Sequence, residues 1–377
     1  MPRPTRAEID LTAIRDNLRI LRERVGPGVR VLGVVKADAY GHGAVEVSRT
    51  LEAAGIDMLG VALVEEGVEL RSGGAQAPIL VMGPMPADDI ARALEFDLIP
   101  TVDGPAAAAE VEARAAELGR TAAVHLKIDT GMNRLGVRAE GAADAAAAIG
   151  RMEHLALEGA YTHFACADGD PDTTTPQQLA RFAAALDAMR GAGARPLLVH
   201  AANSSALLAL PESHFGMVRS GLALYGIPPC KAAEGAGLRP ALSLVTCVAC
   251  LKRVGAGEGV SYGHRWRAAR ESLVGVLPVG YGDGYPRALS NRGRVRVAGR
   301  LVPVVGAICM DATMVDLTDV PEARLPAGGQ ARPGLEVSLI EADNASPIGA
   351  AALAAVAGTI PYEILTGIGR RVPRVYR

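Results

Sequence analysis

A single lysine, Lys36, stands where an apolar run ends and a polar run bounded by glycine begins. The run reads Val31-Leu32-Gly33-Val34-Val35-Lys36-Ala37-Asp38-Ala39-Tyr40-Gly41-His42-Gly43. Continuous Val and Leu without alternation predict a strand that is covered on both faces. An amine at the end of such a strand is partly desolvated, which lowers its pKa and suits it to forming a Schiff base. A lysine whose ammonium simply extends to solvent fits the same position.

Further polar groups follow later strand-like runs. They are Lys127-Ile128-Asp129-Thr130-Gly131-Met132-Asn133-Arg134, Tyr161-Thr162-His163, Ala202-Asn203-Ser204 and Arg219-Ser220-Gly221. Each has an ordinary structural interpretation: Ser204 as a helix N-cap, His163 as a hydrogen-bonded core histidine, and Arg219 as half of an ion pair. Ligands of parallel α/β folds bind beyond the carboxyl ends of the strands, so we expect these groups on one rim.

Two of these segments suit phosphate. Asn203-Ser204-Ser205 and Ser220-Gly221 offer small residues and backbone N–H groups, and barrels of parallel strands most often bind phosphate after strands seven and eight. A Schiff-base lysine combined with a phosphate site indicates pyridoxal phosphate. Neither feature alone would indicate it.

Strand-like and helical segments alternate through the first part of the chain. After Lys36, strands are predicted at Met58–Leu63, Pro78–Met82, Leu98–Val102, Ala122–Ile128, Ala156–Thr162, Pro196–Ala201 and Met217–Tyr225. Helical spacing and alanine content predict helices at Val45–Ala54, Asp88–Phe96, Ala106–Leu118, Ala142–Met152 and Pro176–Met189. With the opening strand this makes about eight repeats, which predict a (β/α)8 TIM-like barrel. An open doubly wound sheet has the same alternation and is the alternative.

The pattern changes around Pro228–Pro240, after which a mostly-β C-terminal domain is predicted. Its strands are predicted at Ala241–Val254, Ser272–Val279, Arg294–Val297, Leu301–Val305, Thr313–Leu317 and Leu335–Ile340, with a helix at Ile348–Ala357 and a loop at Pro321–Pro333. We therefore predict a barrel at residues 11–233, and a β domain at 234–377 together with an N-terminal strand at 1–10. Two polar clusters of the β domain, Gly259–His264 and Val305–Asp311, are not needed for packing.

Composition narrows the class of partner. The chain has 377 residues, of which 49% are hydrophobic and 21% charged, and a formal net charge of -2. These values predict a soluble globular protein, and they argue against nucleic acid or an anionic membrane as its partner and in favour of a small molecule. The N-terminus has no apolar signal core, so the cytoplasm is expected. Five cysteines fit reduced thiols, and the Cys247/Cys250 pair lacks a second pair or a nearby histidine, so no metal site is expected.

Taken together, the motifs resemble those of the bacterial alanine racemases almost from end to end. The matching segments are Ala7–Leu11, Val35–Gly43, Asp129–Gly136, Tyr161–Ala165, Met217–Arg219, Val260–Gly263, Val279–Gly284, Ile308–Asp311 and Pro361–Glu363. The resemblance implies a pyridoxal phosphate barrel followed by a β domain, in a head-to-tail homodimer whose sites are each completed by the partner's β domain. It implies interconversion of L-alanine and D-alanine, which supplies D-alanine for peptidoglycan.

The resemblance also implies the catalytic roles. Lys36 would carry the cofactor and exchange a proton on the D-face of Cα, and Tyr262 of the partner subunit would do so on the L-face. A phenol has a reference pKa of about 10, so His163 and then Arg219 would help Tyr262 to ionise. Arg219 would also meet the pyridine nitrogen and, because it keeps its proton, would make the ring a weaker electron sink.

The binding roles follow in the same way. Phosphate would be held by Tyr40, Ser204, Tyr362 and the backbone of Gly221 and Leu222. Arg134 and the Met310 amide would receive the substrate carboxylate, and Tyr281 and Tyr362 would narrow the entrance in favour of a methyl side chain. The lysine that matches Lys127 is carbamylated in some relatives and steadies the arginine.

Two positions depart from the family pattern. Many relatives have arginine where this chain has Ala307, which affects the charge of the entrance, and proline or an aromatic residue where it has Ser220, in the loop beside the phosphate. The nearest rival interpretation is a serine or broad-specificity racemase of the same fold. A decarboxylase would carry a Gly-Gly-Gly phosphate loop and a Cys-Glu-Ser type segment that this sequence lacks, and a non-catalytic pyridoxal phosphate carrier would lack the second domain.

Overall fold

The computed structural model describes residues 3–169, 174–323 and 334–377. The chain divides into two compact units, and neither is continuous in sequence. The barrel unit contains Ile14–Ala39 and Ala44–Leu238, and the β unit contains Met1–Ala13, Tyr40–Gly43 and Arg239–Arg377. The short stretch that directly follows the Lys36 segment therefore groups with the β unit.

Eight strands of the described chain form a closed parallel ring in the barrel unit. They are Arg30–Val34, Met58–Val61, Ile79–Val81, Leu98–Val102, Ala122–Asp129, Leu155–Tyr161, Leu198–His200 and Met217–Ser220. The ring closes because the fourth strand pairs with the fifth (Thr101 opposite His125) and the eighth with the first (Met217 opposite Arg30). The predicted (β/α)8 barrel is confirmed, and the open doubly wound sheet is excluded.

Helices alternate with the strands, and several of them bury an apolar stripe at helical spacing. Their bounds are Leu11–Val25, Lys36–Gly41, Ala44–Ala53, Val64–Ser72, Ala87–Glu95, Pro105–Glu117, Ala142–Ile149, Thr174–Gly191 and Ser204–Ala209. Ala87–Glu95 is an example: it buries Ile90, Ala93 and Leu94, which are three and four positions apart and so share one face. Short 3-10 turns lie at Ala139–Gly141, Pro211–Ser213, Leu222–Tyr225 and Lys231–Ala233.

The β unit is built on a six-stranded sheet that contains both ends of the chain. Its order is Arg300–Pro303, Arg294–Val297, Glu336–Ile340, Leu242–Cys247, Arg6–Ile9 and Arg374–Tyr376. A three-stranded sheet of Cys250–Val254, Ser272–Leu277 and Thr313–Asp316, a hairpin of Gly259–Val260 and Trp266–Arg267, and helices Ala350–Ala357 and Pro361–Thr366 complete it. The predicted mostly-β domain is confirmed.

Three of the differences between the predicted elements and the structure change the course of the chain, whereas the others shift an end by a few residues. The run Ala241–Val254 forms two strands of different sheets, because the chain leaves the first sheet at Cys247 and enters the second at Cys250. The eighth barrel strand ends at Ser220 rather than Tyr225, since the backbone turns at Gly221 (φ -110, ψ -97) into a 3-10 helix. The first strand ends at Val34, two residues before Lys36. Most of the predicted loop Pro321–Pro333 lies outside the described residues.

Five helices of the described chain have no counterpart among the predicted ones: Leu11–Val25, Val64–Ser72, Lys36–Gly41, Ser204–Ala209 and Pro361–Thr366. Gly67 in the middle of the second lowers its helix propensity and hides the signal. No helix in the described part of the chain combines the length and the apolar character that crossing a membrane requires.

Candidate active site

Lys36 begins a helical turn of left-handed sense. Ala37, Asp38, Ala39 and Tyr40 have φ angles of 51°, 54°, 52° and 54°. Each L-residue in this region costs about 1–2 kcal/mol and normally occurs singly. A run of four beside one amine is backbone strain of the kind that collects at functional sites.

Side-chain carboxylates tie this turn to the barrel unit. The Ala37 amide donates to Glu66 Oε1 at 2.6 Å, and Asp38 Oδ1 accepts from the Ala44 amide at 2.8 Å. Burial lowers the pKa of Lys36, and the charge of Arg134 lowers it further, while Glu66 acts in the opposite direction. The backbone beside Lys36 is thus anchored, and the lowered pKa shifts its amine toward the neutral, nucleophilic form.

Lys127 is a second amine, inside the barrel, whose pKa is lowered. It is 6% exposed, and its Nζ lies 4.3 Å from the centre of the Tyr161 ring. Burial, then the charges of Arg219 and Arg134, hold its pKa well below the usual range, against the opposing effect of Asp129. A buried amine in this state can react at its nitrogen or become a carbamate.

The loop that carries Arg134 is shaped by Asp129, the last residue of the fifth strand. One oxygen of Asp129 accepts from the amides of Gly131 and Asn133, each at 3.0 Å. Arg134 then lines the same small cavity as Lys127 and His163. The structure thus brings these three predicted site residues together.

Arg219 lies in the barrel interior, 4% exposed, and donates to neutral acceptors. Its Nη1 donates to His200 Nδ1 at 3.0 Å, and its Nη2 donates to His163 Nδ1 at 3.2 Å. Nη2 also reaches the carbonyls of Thr162 and Ala201 at 2.8 and 3.0 Å. Burial lowers the pKa of Arg219 to about 10, so it stays a cation at neutral pH.

This arginine fixes the tautomers of the histidines around it. A guanidinium only donates, so Nδ1 of both His163 and His200 must accept, and each neutral ring carries its proton on Nε2. Burial and the charge of Arg219 hold the pKa of both rings well below 6.5, in agreement with neutral imidazoles. The Nε2–H of His163 is therefore a donor, which would stabilise an anion placed next to it.

The hydrogen bonds that start at Arg219 continue through His200 to a third histidine, His125. His200 Nε2 lies 2.9 Å from His125 Nδ1, which must accept, so His125 also carries its proton on Nε2. Burial, then Arg219, lowers the pKa of His125 to about 3. The ring fits because Gly159 has no side chain: a Cβ there would lie 2.4 Å from His125 Nδ1. Tyr161 stacks on His200 with ring centres 4.6 Å apart.

The rim after strands seven and eight centres on Ser204. Its Oγ accepts from the amides of Gly221 and Ala223 at 2.9 and 3.4 Å, which leaves its proton to donate outward. Asn203 caps the short helix by accepting from the Ala206 amide. Ser220 Oγ is buried and has no hydrogen-bond partner among the described residues. The rim thus offers hydroxyl donors, and Gly221 has its amide turned toward Ser204.

In the β unit, Tyr262 projects from a strained turn. It is 74% exposed, and its neighbours Ser261 and His264 have φ angles of 63° and 42°. Ser261 Oγ donates to the carbonyl of Ala307 at 2.6 Å, which ties this turn to the segment that precedes Met310. Ala307 itself is 2% exposed within its unit.

Tyr281 and Met310 lie on adjoining segments of the same unit. The Tyr281 amide donates to the Cys309 carbonyl at 3.1 Å, and the Gly282 amide donates to the Met310 carbonyl at 2.9 Å. Tyr281 and Met310 are 43% and 52% exposed. Tyr262, Tyr281 and Met310, predicted from separate motifs, therefore share one anchoring segment.

Tyr40 and Tyr362 also come together in the β unit. Their ring centres are 5.7 Å apart at an interplanar angle of 45°. Sequence reasoning proposed both for the same phosphate. The pairing places the two aromatic rings side by side.

His125 and His200 were missed from the sequence. Both stand inside runs that the sequence predicts as apolar strands, Ala122–Ile128 and Pro196–Ala201, where a histidine is usually an ordinary core residue. One signal was available: His125, Lys127 and Asp129 alternate along the fifth strand and therefore share one face. Among the described residues no group of three or more His, Cys, Asp or Glu side chains is arranged to hold a metal ion.

Comparison with known proteins identifies the family. The models of the alanine racemase N-terminal and C-terminal domains match residues 9–229 and 241–376. This chain belongs to the alanine racemase family. It is similar to alanine racemase from Symbiobacterium thermophilum, with 45% identity over 376 residues that cover 99% of this chain and 97% of the relative. The protein is accordingly an isomerase, an amino-acid racemase.

Solved alanine racemases have the same fold. The enzyme from Streptomyces lavendulae, described as a D-cycloserine producer, superposes with a TM-score of 0.92 at 41% identity and covers 100% of this chain and 98% of that one. Alanine racemase from Bacillus anthracis with bound L-Ala-P superposes with a TM-score of 0.91 at 36% identity, over 100% and 96% of the two chains. The likeness therefore extends over both units.

Proposed function

We propose that this protein racemises alanine with pyridoxal phosphate and two bases, Lys36 and Tyr262 of the partner subunit. The observation that carries the proposal is the hydrogen bond from Arg219 to the neutral ring of His163, beside Lys36 and Lys127. The pKa of each of these two amines is lowered. The neutral ring supplies a donor for a phenolate, and the charge of Arg219 helps to lower the pKa of Lys127. In the cell the product D-alanine would serve peptidoglycan synthesis.

The residues of the barrel fit pyridoxal phosphate. The rim carries the Ser204 proton and the unpartnered Ser220 hydroxyl, and Lys36, Lys127, Arg134 and Arg219 give the interior the positive field that a phosphate and a carboxylate require. Lys36 would bind the cofactor, and Ser204, Tyr40, Tyr362 and the backbone of Gly221 and Leu222 would bind its phosphate. The Gly221 amide would exchange its bond to Ser204 for one to phosphate. When bound, the cofactor supplies an electron sink that acidifies the substrate Cα–H bond.

The protein's own groups then move the proton. Lys36 would exchange a proton at one face of Cα and Tyr262 of the partner subunit at the other, so that abstraction on one side and return on the other inverts the centre. The His163 Nε2–H would donate to the Tyr262 oxygen and favour its ionised form. Arg219 holds His163 in this tautomer. Because Arg219 also keeps its own proton, it would remain a hydrogen-bond donor toward the pyridine nitrogen.

Substrate selection would come from a cation, a backbone amide and two phenols. Arg134 would pair with the alanine carboxylate, helped by the Met310 amide, and a carbamate on Lys127 would place a negative charge beside the arginine. Tyr281 and Tyr362 would limit the space for the side chain. Homodimer formation is part of the proposal, since Tyr262 would act on the site of the partner subunit.

The decisive experiment incubates the purified protein and pyridoxal phosphate with L-alanine in deuterated water. We expect D-alanine to form together with deuterium at Cα, because a proton lost to solvent is replaced by deuterium on either face. Deuteration without inversion would contradict the two-base assignment. Absence of both, with the cofactor bound, would contradict the proposed reaction.

Tyr262→Phe tests the assignment of the two faces. We expect the variant to bind cofactor normally but to lose racemisation from L-alanine by about 100-fold or more, the usual size of an acid–base contribution. Exchange of the Cα proton of D-alanine, which depends on Lys36, should continue and acts as the internal control. Unchanged L-alanine turnover would remove Tyr262 from the mechanism.

A further inference from the structure

The strongest unassigned feature of the β unit is a buried carboxylate, Asp283, at the end of the 3-10 turn Tyr281–Asp283. The residue is 1% exposed, and no catalytic role above uses it. Its oxygens are bound by two arginines from distant parts of the chain. Arg3 forms a bidentate pair, with Nη1 to Oδ1 and Nη2 to Oδ2 both at 2.6 Å, and Arg371 Nε lies 3.2 Å from Oδ1.

Asp283 also bonds to its own turn. Its Oδ2 accepts from the Gly280 amide at 3.1 Å, which closes the turn that presents Tyr281. Burial by itself raises the pKa of Asp283, but the Arg3 hydrogen bond, the Gly280 amide and the two guanidinium charges outweigh it and lower the pKa. The carboxylate is therefore ionised at neutral pH and keeps all these contacts.

Arg371 extends the contact to the neighbouring segment. Its Nη2 lies 2.5 Å from Asp311 Oδ1, directly after Met310, while its Nε pairs with Asp283. Arg3 adds a hydrogen bond from Nη2 to the Pro278 carbonyl at 2.7 Å, just before the turn. One pair of guanidinium groups thus connects both segments.

The backbones of the two segments touch closely enough to move together. A Cβ at Gly280 would lie 2.2 Å from the Cys309 carbonyl oxygen and 2.5 Å from that of Met310, so only glycine permits this approach. The amides of Tyr281 and Gly282 bond to the same two carbonyls. A displacement of Asp283 would therefore shift Tyr281 and the Met310 amide.

We propose that Asp283, held by Arg3 and Arg371, is a positioning residue that sets the distance between the Tyr281 side chain and the Met310 amide and so determines discrimination between alanine and larger amino acids. The inference rests on the proposed function, in which Met310 meets the carboxylate and Tyr281 narrows the entrance. Asp283 acts through these two residues and does not touch the substrate. The N-terminal Arg3 becomes part of substrate selection through the same contact.

The test is Asp283→Asn, which keeps shape and removes charge. We expect kcat/KM for L-alanine to fall about 10- to 100-fold, chiefly through KM, because displacements near 1 Å have effects of this size. The ratio of kcat/KM for alanine to that for serine should fall as well. Arg3→Gln, a milder change at a partly exposed partner, should shift both quantities in the same direction.

A matched control is available in the same unit. Arg296 and Glu341 form another bidentate pair, at 2.6 and 3.1 Å, with an exposure similar to that of Arg3 but outside the site. Glu341→Gln should lower Tm without changing KM or the alanine-to-serine ratio. If Asp283→Asn and Glu341→Gln alter Tm alike and both leave the ratio unchanged, the inference is overturned.

Hydrogen exchange separates this inference from the reaction. In Asp283→Asn, but not in Glu341→Gln, the amides of Tyr281 and Gly282 should exchange faster, because their bonds to the Cys309 and Met310 carbonyls loosen. If exchange is faster in Asp283→Asn but the wild-type protein does not racemise alanine, the proposed function is refuted. The positioning role of Asp283 would then still stand. If exchange is unchanged in Asp283→Asn, the positioning role of Asp283 is refuted, even when the enzyme is active.

Discussion

At the scale of single residues, the barrel interior is ordered by one cation among neutral rings. Arg219 can only donate, and this one property assigns the proton of His163, His200 and, one bond further, His125. A carboxylate in the place of either histidine would neutralise the guanidinium locally and remove its field from the site. Neutral acceptors orient Arg219 without neutralising it. Its positive charge therefore still acts on a ligand bound at the site.

The buried histidines make stability depend on pH. In the unfolded chain they bind protons with a pKa near 6.5, whereas in the folded protein the pKa of His125 is about 3 and that of His200 is well below 6.5. As pH falls below 6.5 the unfolded state binds more protons, so the free energy of unfolding should fall by up to about 1.4 kcal/mol per pH unit for each histidine. Urea unfolding between about pH 7 and pH 5 measures this slope.

His125→Asn is the variant that isolates one of these groups. Its amide oxygen can still accept from His200 Nε2, but it does not titrate, so the slope should decrease by up to about 1.4 kcal/mol per pH unit. ¹⁵N spectra of the remaining histidines should still show His200 neutral with its proton on Nε2. An unchanged slope would mean that His125 is protonated in the folded state.

Polar groups at the ends of apolar runs could be predicted as site residues from the sequence, but histidines within such runs could not. Lys36 and His163 come where apolar runs stop, and a polar residue there suggests a ligand site, whereas Arg219 is indicated by the polar group Arg219-Ser220-Gly221. His125 and His200 lie inside such runs, where only the assembled barrel shows that they face each other. Asp283 is hidden for a different reason: its partner Arg3 is 280 positions away along the chain.

At the scale of elements, the left-handed turn after Lys36 could not have been foreseen. The sequence Lys36-Ala37-Asp38-Ala39-Tyr40 has good right-handed helix formers, and local propensity favours that hand. The Glu66 carboxylate accepts a hydrogen bond from the Ala37 amide and the Asp38 carboxylate accepts one from the Ala44 amide, and these contacts accompany the left-handed conformation. The strands and most helices could be predicted because the spacing of apolar residues in the sequence matches the faces that they bury. Their ends are uncertain by a few residues.

The same substitution should have opposite effects at two alanines. Ala37 is exposed with a φ of 51°, whereas Ala113 is exposed within the right-handed helix Pro105–Glu117. Ala37→Gly removes the left-handed strain and should raise the free energy of unfolding by about 0.5–1 kcal/mol, and Ala113→Gly should lower it by about 1 kcal/mol. Denaturant unfolding of both variants compares them directly. Equal destabilisation would show that the turn is not strained.

At the scale of the whole molecule, a shared site makes two inactive variants complementary. Lys36→Ala lacks the amine of its own barrel but keeps a tyrosine to contribute, and Tyr262→Phe has the reverse defect. If each site takes Tyr262 from the partner subunit, mixed and reassociated subunits should recover about one quarter of wild-type activity, since half the dimers are hybrids with one intact site. Each variant put through the same procedure alone is the control. Absence of recovery would place both residues in one subunit.

The two compact units cannot be separated by a single cut. The chain passes between them after Ala13, after Ala39, after Gly43 and after Leu238. The first of these stretches contributes Arg6–Ile9 to the six-stranded sheet, between Leu242–Cys247 and Arg374–Tyr376. A gene fragment that begins at any one boundary would lack part of one unit. Recombination between relatives should therefore succeed only when the first 43 codons and the last third of the gene come from the same parent, so that these distant segments are inherited together.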